Sequence, residues 1–394
     1  MPILSRVGTG LFLKSAGGGG GDSPAGEAVF HADSGNGTTD TWNQQTQYSW
    51  TVPDDVTSIS VVCVGGGGSG QPDHDGSSGS GGGLAYKNNI TVTPGETVTV
   101  VVGGGGFEQN WGGNYGMNGK HSYIEYDGII YAQGGGGKGA DKTQANGFVD
   151  NQTNGIPSGD HDGGGNGGSG VAWNGCRQSG GGAGGYNGGG LTSSGTPGNP
   201  QYSGWSPSSG SEGGGGGGCS ANGSSAYYVA GGGGTGIYGK GTNGPAAAST
   251  NSPADDLAYT GKGGSSDPWS YETNGLTVNS YDHYSGLRGY SVTSPWNQYA
   301  NESGGDLSAG SYRRDQNNYG YGVTRPDGGF PGGGAGGGNG GHPAGAGGNG
   351  VVRIVWGTIN GMKREFPNQG VNKTDEYPGL GGNTPTKYGT QRMC

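Results

Sequence analysis

Large apolar side chains are scarce in this sequence, and that scarcity rules out the usual construction of an enzyme-sized protein. Only 28% of the 394 residues are hydrophobic and only 12% are charged. A leucine-rich core for two or three enzyme-like domains cannot be assembled from such a composition. The formal net charge of −10 is too small to extend the chain by repulsion, and its sign argues against a nucleic-acid ligand.

Cysteine, histidine and long apolar runs are scarce as well. The chain has four cysteines, six histidines and no run of 18 apolar residues, so neither a metal-rich fold nor a membrane-spanning helix is expected. Cys63, Cys176, Cys219 and Cys394 form no CxxC pair, which excludes zinc ribbons and thioredoxin motifs. Residues 1–16 lack the apolar run of a secretory signal. Free thiols are therefore the expected state, with a disulfide between Cys176 and Cys219 as the alternative.

Glycine is the residue that the chain has in excess. Its 104 glycines and 19 prolines reach the level at which disorder is the default interpretation. The arrangement favours order instead, because β-branched or aromatic segments lead into blocks of four glycines, which is not typical of flexible linkers. The four pairs are 60–64 before 65–68, 97–102 before 103–106, 129–133 before 134–137, and 226–230 before 231–234.

Ordered glycine blocks have few regular conformations available. Blocks such as 213–218 and 332–338 break the Gly-X-Y triplet of collagen, and each glycine inside an α-helix costs about 1 kcal/mol relative to alanine. The remaining conformation is polyglycine II, an extended left-handed three-fold helix whose N–H and C=O groups point outward. Several such helices can bond to one another side by side, because glycine lets neighbouring backbones approach closely.

Strand patterns surround these blocks. The sequence predicts strands over 47–53, 56–64, 90–93, 97–102 and 351–356, with the first strands pairing with the last. The predicted fold class is therefore mainly β and irregular, a small β portion with packed polyglycine II helices and long loops, and little or no α-helix. The predicted organisation is an N-terminal attachment segment (1–41), a glycine-rich domain (42–357) and a C-terminal tail (358–394).

A family resemblance is carried by four stretches in a fixed order, namely 52–64 (VPDDVTSISVVCV), 81–86 (GGGLAY), 93–102 (TPGETVTVVV) and 347–356 (GGNGVVRIVW). The series resembles the glycine-rich domain of tailed-phage virion proteins, and its ending is similar to tail proteins of cyanobacterial myophages. The glycine blocks resemble the receptor-recognising adhesins at the fibre tips of T-even-type phages, whose core is a sandwich of polyglycine helices. A related glycine-rich domain occurs in certain receptor tyrosine kinase ectodomains.

The resemblance implies a phage virion protein of the tail, a fibre-tip or baseplate adhesin that binds a host receptor through loops on a polyglycine scaffold. The implied partners are other tail or fibre proteins and a host cell-surface glycan or outer-membrane protein, with no nucleic acid and no membrane insertion. The implied location is the virion, after assembly in the host cytoplasm. The alternatives are a purely structural virion component and an extracellular filament or matrix protein. Catalysis is not expected, with a depolymerase of host polysaccharide as the enzymatic alternative.

Aromatic residues crowd into residues 265–325, where glycine becomes sparse. Tyrosine and tryptophan offer flat apolar faces with a polar group, which suits stacking on sugar rings or anchoring in a protein pocket. The alternative is that these side chains cover the glycine helices and shield them from water. The candidate receptor-binding residues are Trp269, Tyr271, Tyr281, Tyr284, Tyr290, Trp296, Tyr299, Tyr312, Arg313, Tyr319 and Tyr321.

Motifs for metals, cofactors or catalysis are weak. The motif Asp73-His74-Asp75 recurs as Asp160-His161-Asp162, and two carboxylates beside an imidazole could hold a divalent ion. No further ligand follows at a recognisable spacing, so polar turns are the favoured interpretation and no metal is predicted. Residues 234–241 nearly match a P-loop but lack the Ser or Thr that binds magnesium. No cofactor is therefore predicted.

Overall fold

The computed structural model of the protein describes residues 25–32, 45–71, 77–106, 116–140, 155–170, 180–187, 214–215, 222–223, 226–241, 243–244, 312–314, 328–336, 344–359 and 361–371. The strands are β1 (Gly26–His31), β2 (Gln45–Thr51), β3 (Ser58–Val64), β4 (Leu84–Thr91), β5 (Thr97–Gly103), β6 (Ser122–Tyr126), β7 (Ile129–Gly134), β8 (Gly163–Gly165), β9 (Asn222–Gly223), β10 (Ala226–Ala230), β11 (Tyr312–Arg314), β12 (Val351–Trp356), β13 (Thr358–Ile359) and β14 (Met362–Lys363). Within these ranges no α-helix occurs, which confirms the mainly β class. No helix in the described ranges is long and apolar enough to cross a membrane.

Two antiparallel sheets enclose the main apolar core. One has five strands in the order β1-β12-β3-β4-β8, and the other has four in the order β2-β5-β6-β7. The predicted pairing of the first strands with the last is confirmed, because β12 lies between β1 and β3, and Val352 pairs with both Phe30 and Cys63. The core between the sheets includes Trp50 and Trp356, whose ring centroids lie 5.5 Å apart.

Strands β3 and β12 are buried on both faces, and this explains why apolar residues occupy consecutive positions in both strands. Side chains alternate between the faces of a strand, so Val61 joins the core between the sheets, whereas Val62 joins a second core on the opposite face. The second core also contains Tyr186, Phe330 and Phe366. It attaches the glycine-rich segments and the C-terminal residues to the five-stranded sheet.

Parts of both predicted terminal segments belong to the folded body. Gly26–His31, within the predicted attachment segment, pairs along its whole length with β12. Residues 361–371, within the predicted tail, include β14 and place Phe366 and Val371 in the second core. The folded body therefore extends beyond residues 42 and 357 in both directions.

A buried ion pair helps to join the N-terminal and C-terminal parts of the folded body. The Arg353 guanidinium donates to the Glu27 carboxylate through Nη2 at 2.6 Å and through Nε at 3.1 Å. It also donates to the carbonyl oxygens of Ile237 and Val371, at 3.1 and 2.7 Å. Arg364 lies 3.5 Å from the same carboxylate. Because Arg353 is fully buried, these contacts have to replace the water that its charge loses on folding.

Candidate recognition scaffold

Glycine-rich segments continue from the ends of the strands and bond mainly to one another. We call this set the glycine lattice. Many of its hydrogen bonds join backbone N–H and C=O groups that are far apart in the sequence. Backbone bonding therefore supplies here much of the cohesion that apolar side chains supply between the sheets. The described segments of the lattice are 65–70, 79–83, 103–106, 116–121, 134–140, 167–170, 180–184, 231–235, 328–336 and 344–350.

The central segment of the lattice, residues 65–70, donates its amides in three directions in turn. For residues 65 to 70 in order, the acceptors are the carbonyl oxygens of Gly83, Lys120, Gly348, Ser80, Met117 and Gly345. The acceptor segment thus changes with every residue and returns after three. A repeat of three residues is the repeat of an extended three-fold helix.

The same repeat occurs in neighbouring lattice segments. Gly79 and Gly82 donate to residues 335 and 332, whereas Ser80 and Gly83 donate to residues 138 and 135. In segment 344–350, residues 347 and 350 donate to residues 106 and 103. The pattern is therefore a property of the lattice and not of one segment.

The carbonyl groups of the central segment are used as well. Those of residues 66 to 69 accept from Gly137, Gly106, Ala335 and Ala140, in that order. Together with the three segments that accept its amides, six segments thus surround the central one. A Cβ atom on Gly67 would lie 2.0 Å from the carbonyl oxygen of Gly333. No side chain fits at that distance, so this packing requires glycine.

Some lattice amides donate to side chains instead of carbonyl groups. Asn118 Oδ1 accepts from Gly139 N–H at 2.8 Å, and His121 Nδ1 accepts from Gly136 N–H at 2.9 Å. Asn349 Oδ1 accepts from a further glycine amide, that of residue 105, at 2.8 Å. Sequence reasoning missed these residues, and the available signal was that short polar side chains interrupt or border the glycine blocks.

The lattice segments run alternately away from the sheets and back. Segments 65–70, 103–106 and 134–140 continue from β3, β5 and β7, whereas 79–83, 116–121 and 344–350 lead back into β4, β6 and β12. The ends remote from the sheets lie together, as three bonds show: Gly70 donates to Gly345, Gly345 to Gly336, and Gly116 to Ala140. We call this the far end of the lattice. The chain leaves and re-enters the lattice there several times.

Two of the predicted receptor-binding residues, Tyr312 and Arg313, lie in β11. They pair with β10, where Tyr312 is opposite Ala230. Strand β10 leads directly into segment 231–235, and Gly232 donates to Gly334, close to the far end of the lattice. The remaining predicted residues lie outside the described ranges; they are Trp269, Tyr271, Tyr281, Tyr284, Tyr290, Trp296, Tyr299, Tyr319 and Tyr321.

The second Asp-His-Asp motif binds a lysine. Lys87 Nζ donates to Asp160 Oδ1 and Asp162 Oδ1, at 2.9 Å each, and these bonds raise the pKa of Lys87. Asp162 Oδ2 accepts from the N–H of Asn88 at 2.8 Å. An ammonium group and a strand amide thus occupy the carboxylates, and His161 Nδ1 lies 2.9 Å from the carbonyl oxygen of residue 159.

The other predicted metal and cysteine residues are only partly described. Asp73, His74 and Asp75 lie outside the described ranges, as do Cys176 and Cys219. Cys63 is a free thiol, as expected, and its burial raises its pKa. In the part of the chain that the structure describes, no three His, Cys, Asp or Glu side chains are grouped as metal ligands.

Comparison with known proteins identifies the family. A family model described as a glycine-rich domain matches residues 38–292, which is more than half of the chain. The match spans β2 to β10 and the lattice segments from 65–70 to 231–235. No curated protein matches the chain. Because the matched residues include both the sandwich strands and the glycine segments that continue from them, the chain belongs to the glycine-rich domain family.

Proposed function

We propose that the protein is a virion tail-associated protein of a phage, a fibre-tip or baseplate adhesin that binds a host surface receptor without catalysis. The observation that carries the proposal is the far end of the lattice, where the chain repeatedly leaves and re-enters a tightly bonded framework. Recognition residues commonly lie on connections held by a rigid scaffold. The resemblance of the strand motifs to phage virion proteins supports the phage setting, and the family match supports the glycine-rich scaffold alone.

The lattice segments are, in this proposal, polyglycine II helices. Their three-residue repeat of acceptors supports this, as does the central segment with its six neighbours. The glycines at 65–68 also keep φ out of the left-handed region, which agrees with the φ of about −75° of the three-fold helix. At a rise of about 3.1 Å per residue, the six residues of the central segment span roughly 19 Å.

Rigidity is what the lattice contributes to binding. Ordering one backbone residue costs about 1–2 kcal/mol, whereas one backbone hydrogen bond returns a net of about 1 kcal/mol. An isolated polyglycine II helix has no internal hydrogen bonds to offset that cost. Mutual bonding offsets only part of it, so the lattice also depends on its attachment to the sheets and the second core. Connections that start and end on this lattice lose less freedom when they bind a receptor than connections between mobile segments.

The receptor contacts proposed are the aromatic residues of 265–325, with Tyr312 and Arg313 near the far end of the lattice. Aromatic side chains lose little conformational freedom for the area that they bury, and they dominate the energetics of many interfaces. The proposed receptor is a host cell-surface glycan or outer-membrane protein. Other tail or fibre proteins are the proposed partners within the virion.

Two measurements on the full-length chain test this function. Immunogold labelling of phage particles that carry the protein should mark a fibre tip or the baseplate, and labelled protein should adsorb to host cells. A Trp269→Ala/Trp296→Ala variant should adsorb at least about tenfold more weakly. A Tyr123→Ala variant, altered on the four-stranded sheet, should adsorb like the original. Protein enclosed within the particle, or a tryptophan variant that adsorbs normally, would favour a purely structural role.

A further inference from the structure

A pocket of about 550 Å³ opens on the side of the glycine lattice, where the lattice meets the four-stranded sheet. It lies between the ends of β6 and β7 and the lattice segments 116–121 and 134–140. Two glycines, Gly119 and Gly136, line it with backbone alone. A Cβ atom on Gly136 would lie 2.1 Å from the carbonyl oxygen of Gly119. The tight packing of the lattice thus leaves the remaining walls to a few side chains, all of them polar except Ile156.

The charges of the pocket are all positive. Lys120 and Lys138 line it, and no aspartate or glutamate does so in the described part of the chain. Neither ammonium group forms an ion pair with a described residue, whereas Lys87, Arg353 and Arg364 all contact carboxylates. In a chain with a net charge of −10, two lysines without a carboxylate partner among the described residues favour an anionic ligand at this pocket.

The hydrogen-bonding groups of Asn118 and His121 that the lattice does not use are donors. Asn118 Oδ1 and His121 Nδ1 both accept lattice amides, so each of these acceptors is already used. What remains on the two side chains is the Nδ2 group of Asn118 and the Nε2–H of His121, since a ring nitrogen that accepts must leave the proton on the other. Burial lowers the pKa of His121, and the charge of Lys120 lowers it further. The ring is therefore a neutral donor at pH 7.

The rest of the lining suits a hydroxyl-rich ring. Gln133 and Ser158 line the pocket and can both donate and accept hydrogen bonds. Ile156 lies beside them with 53% of its surface exposed. Sugar rings combine hydroxyl groups at the edge with an apolar C–H face, and an exposed isoleucine can cover such a face. The pocket volume is within the range of about 300–1,000 Å³ that is usual for small-molecule sites.

We propose that this pocket binds an acidic sugar of the uronic acid type, with the carboxylate between Lys120 and Lys138 and the hydroxyl groups on Asn118, His121, Gln133 and Ser158. The site is separate from the far end of the lattice, so it does not depend on the proposed adhesin function. Such a sugar would occur as one unit of a larger polysaccharide, because the pocket is open to solvent.

Binding of sodium glucuronate to the full-length chain at low salt, followed by NMR or calorimetry, tests the site. Glucuronate should bind at least about tenfold more tightly than glucose, which lacks the charge. The Lys120→Gln/Lys138→Gln variant should bind glucuronate about tenfold more weakly than the original protein. Lattice bonding should persist, because residues 120 and 138 accept Gly66 and Ser80 amides through backbone carbonyls.

Two further variants keep the result interpretable. Lys363→Gln removes an exposed lysine in β14, outside the pocket, and should leave the affinity within about twofold. Ile156→Glu places a negative charge at the pocket on an exposed position and should abolish measurable glucuronate binding while both lysines remain. Equal affinity for glucose and glucuronate, or an unaltered affinity in the double variant, would overturn the proposal. Inorganic phosphate binding as tightly as glucuronate would reduce the pocket to a simple anion site and would also overturn it.

Discussion

Arg353 joins chain segments that are separated by more than three hundred residues. It lies in β12, pairs with Glu27 in β1, and donates to the carbonyl groups of Ile237 and Val371. The Tyr238 ring lies 4.1 Å from its guanidinium carbon, in the geometry of a cation–π contact. The contacts of this buried charge therefore join β1, β12 and residues 237 and 371.

Replacing Arg353 should destabilise the protein strongly, because Glu27 would lose its closer cationic partner and the carbonyl groups of Ile237 and Val371 would lose a buried donor. For Arg353→Met we expect a loss of about 3 kcal/mol in the free energy of unfolding, measured by urea denaturation. The Glu27→Gln/Arg353→Met variant should recover none of that loss, because the buried Arg364 would then lose its carboxylate. Lys363→Met, an exposed cation, serves as the control and should change stability by less than about 0.5 kcal/mol. A single Arg353→Met variant that matches this control would contradict the prediction.

His121 should make stability depend on pH on the acid side of neutrality. Its pKa is lowered from 6.5 in the folded chain, by burial and by Lys120. The unfolded chain therefore binds more protons between the folded pKa and 6.5, so stability should fall as the pH drops through this window. NMR titration should show a ring pKa below 6.5, and His121→Asn should reduce the acid-side slope of the unfolding free energy. A ring pKa at or above 6.5 would refute this assignment.

Two different physical reasons require glycine in the elements of this fold. In the β6–β7 hairpin, Asp127 and Gly128 form a two-residue turn with φ of 50° and 74°, and a Cβ atom on Gly128 would meet nothing within 4 Å. That position needs an unusual backbone conformation. In the lattice, Gly67 has no such φ but lies against the backbone of another segment. Position 67 therefore has no room for a side chain.

Substitutions at these two positions should therefore differ in effect. Gly67→Ala forces one backbone away from another and should cost about 3 kcal/mol or more, since neither backbone can turn aside as a side chain would. Gly128→Asn should cost less than about 1 kcal/mol, because asparagine tolerates the left-handed conformation. Thermal and urea unfolding of the two variants would decide the matter. Equal losses would mean that the lattice is looser than its hydrogen bonds indicate.

The whole molecule should show an unusual thermal signature. Its lattice is joined by peptide groups, and exposing polar surface lowers the heat capacity of unfolding whereas exposing apolar surface raises it. The urea m-value reports all the surface exposed, polar and apolar. We expect the ratio of heat capacity change to m-value to lie clearly below that of an ordinary β-sandwich with a similar m-value. Calorimetry and urea denaturation measure the two quantities, and an ordinary ratio would show that apolar burial dominates after all.

Much of the β framework could be predicted from sequence, because alternating and β-branched runs identify strands whatever they pack against. The strands at 58–64, 97–103 and 351–356 are examples. Strand β1 was missed, since GEAVFH is short and follows a glycine block. The Arg353–Glu27 ion pair was missed for a different reason. A charged residue within an apolar run can be expected to be buried, but the sequence does not show which residue it pairs with. The partners of the lattice amides are likewise set by three-dimensional packing, so the sequence indicates ordered glycine segments but not their neighbours.

The six neighbours of the central segment include residues 345–348, which are the last of these segments to be made during synthesis. In a nascent chain that has emerged only as far as residue 330, peptide groups of the central segment therefore lack hydrogen-bond partners that they have in the finished protein. Contacts between such distant positions are slow to form. Almost the entire folded body must therefore be synthesised before the central segment can form all its hydrogen bonds. In a truncated product that ends before β12, the central segment remains exposed to water.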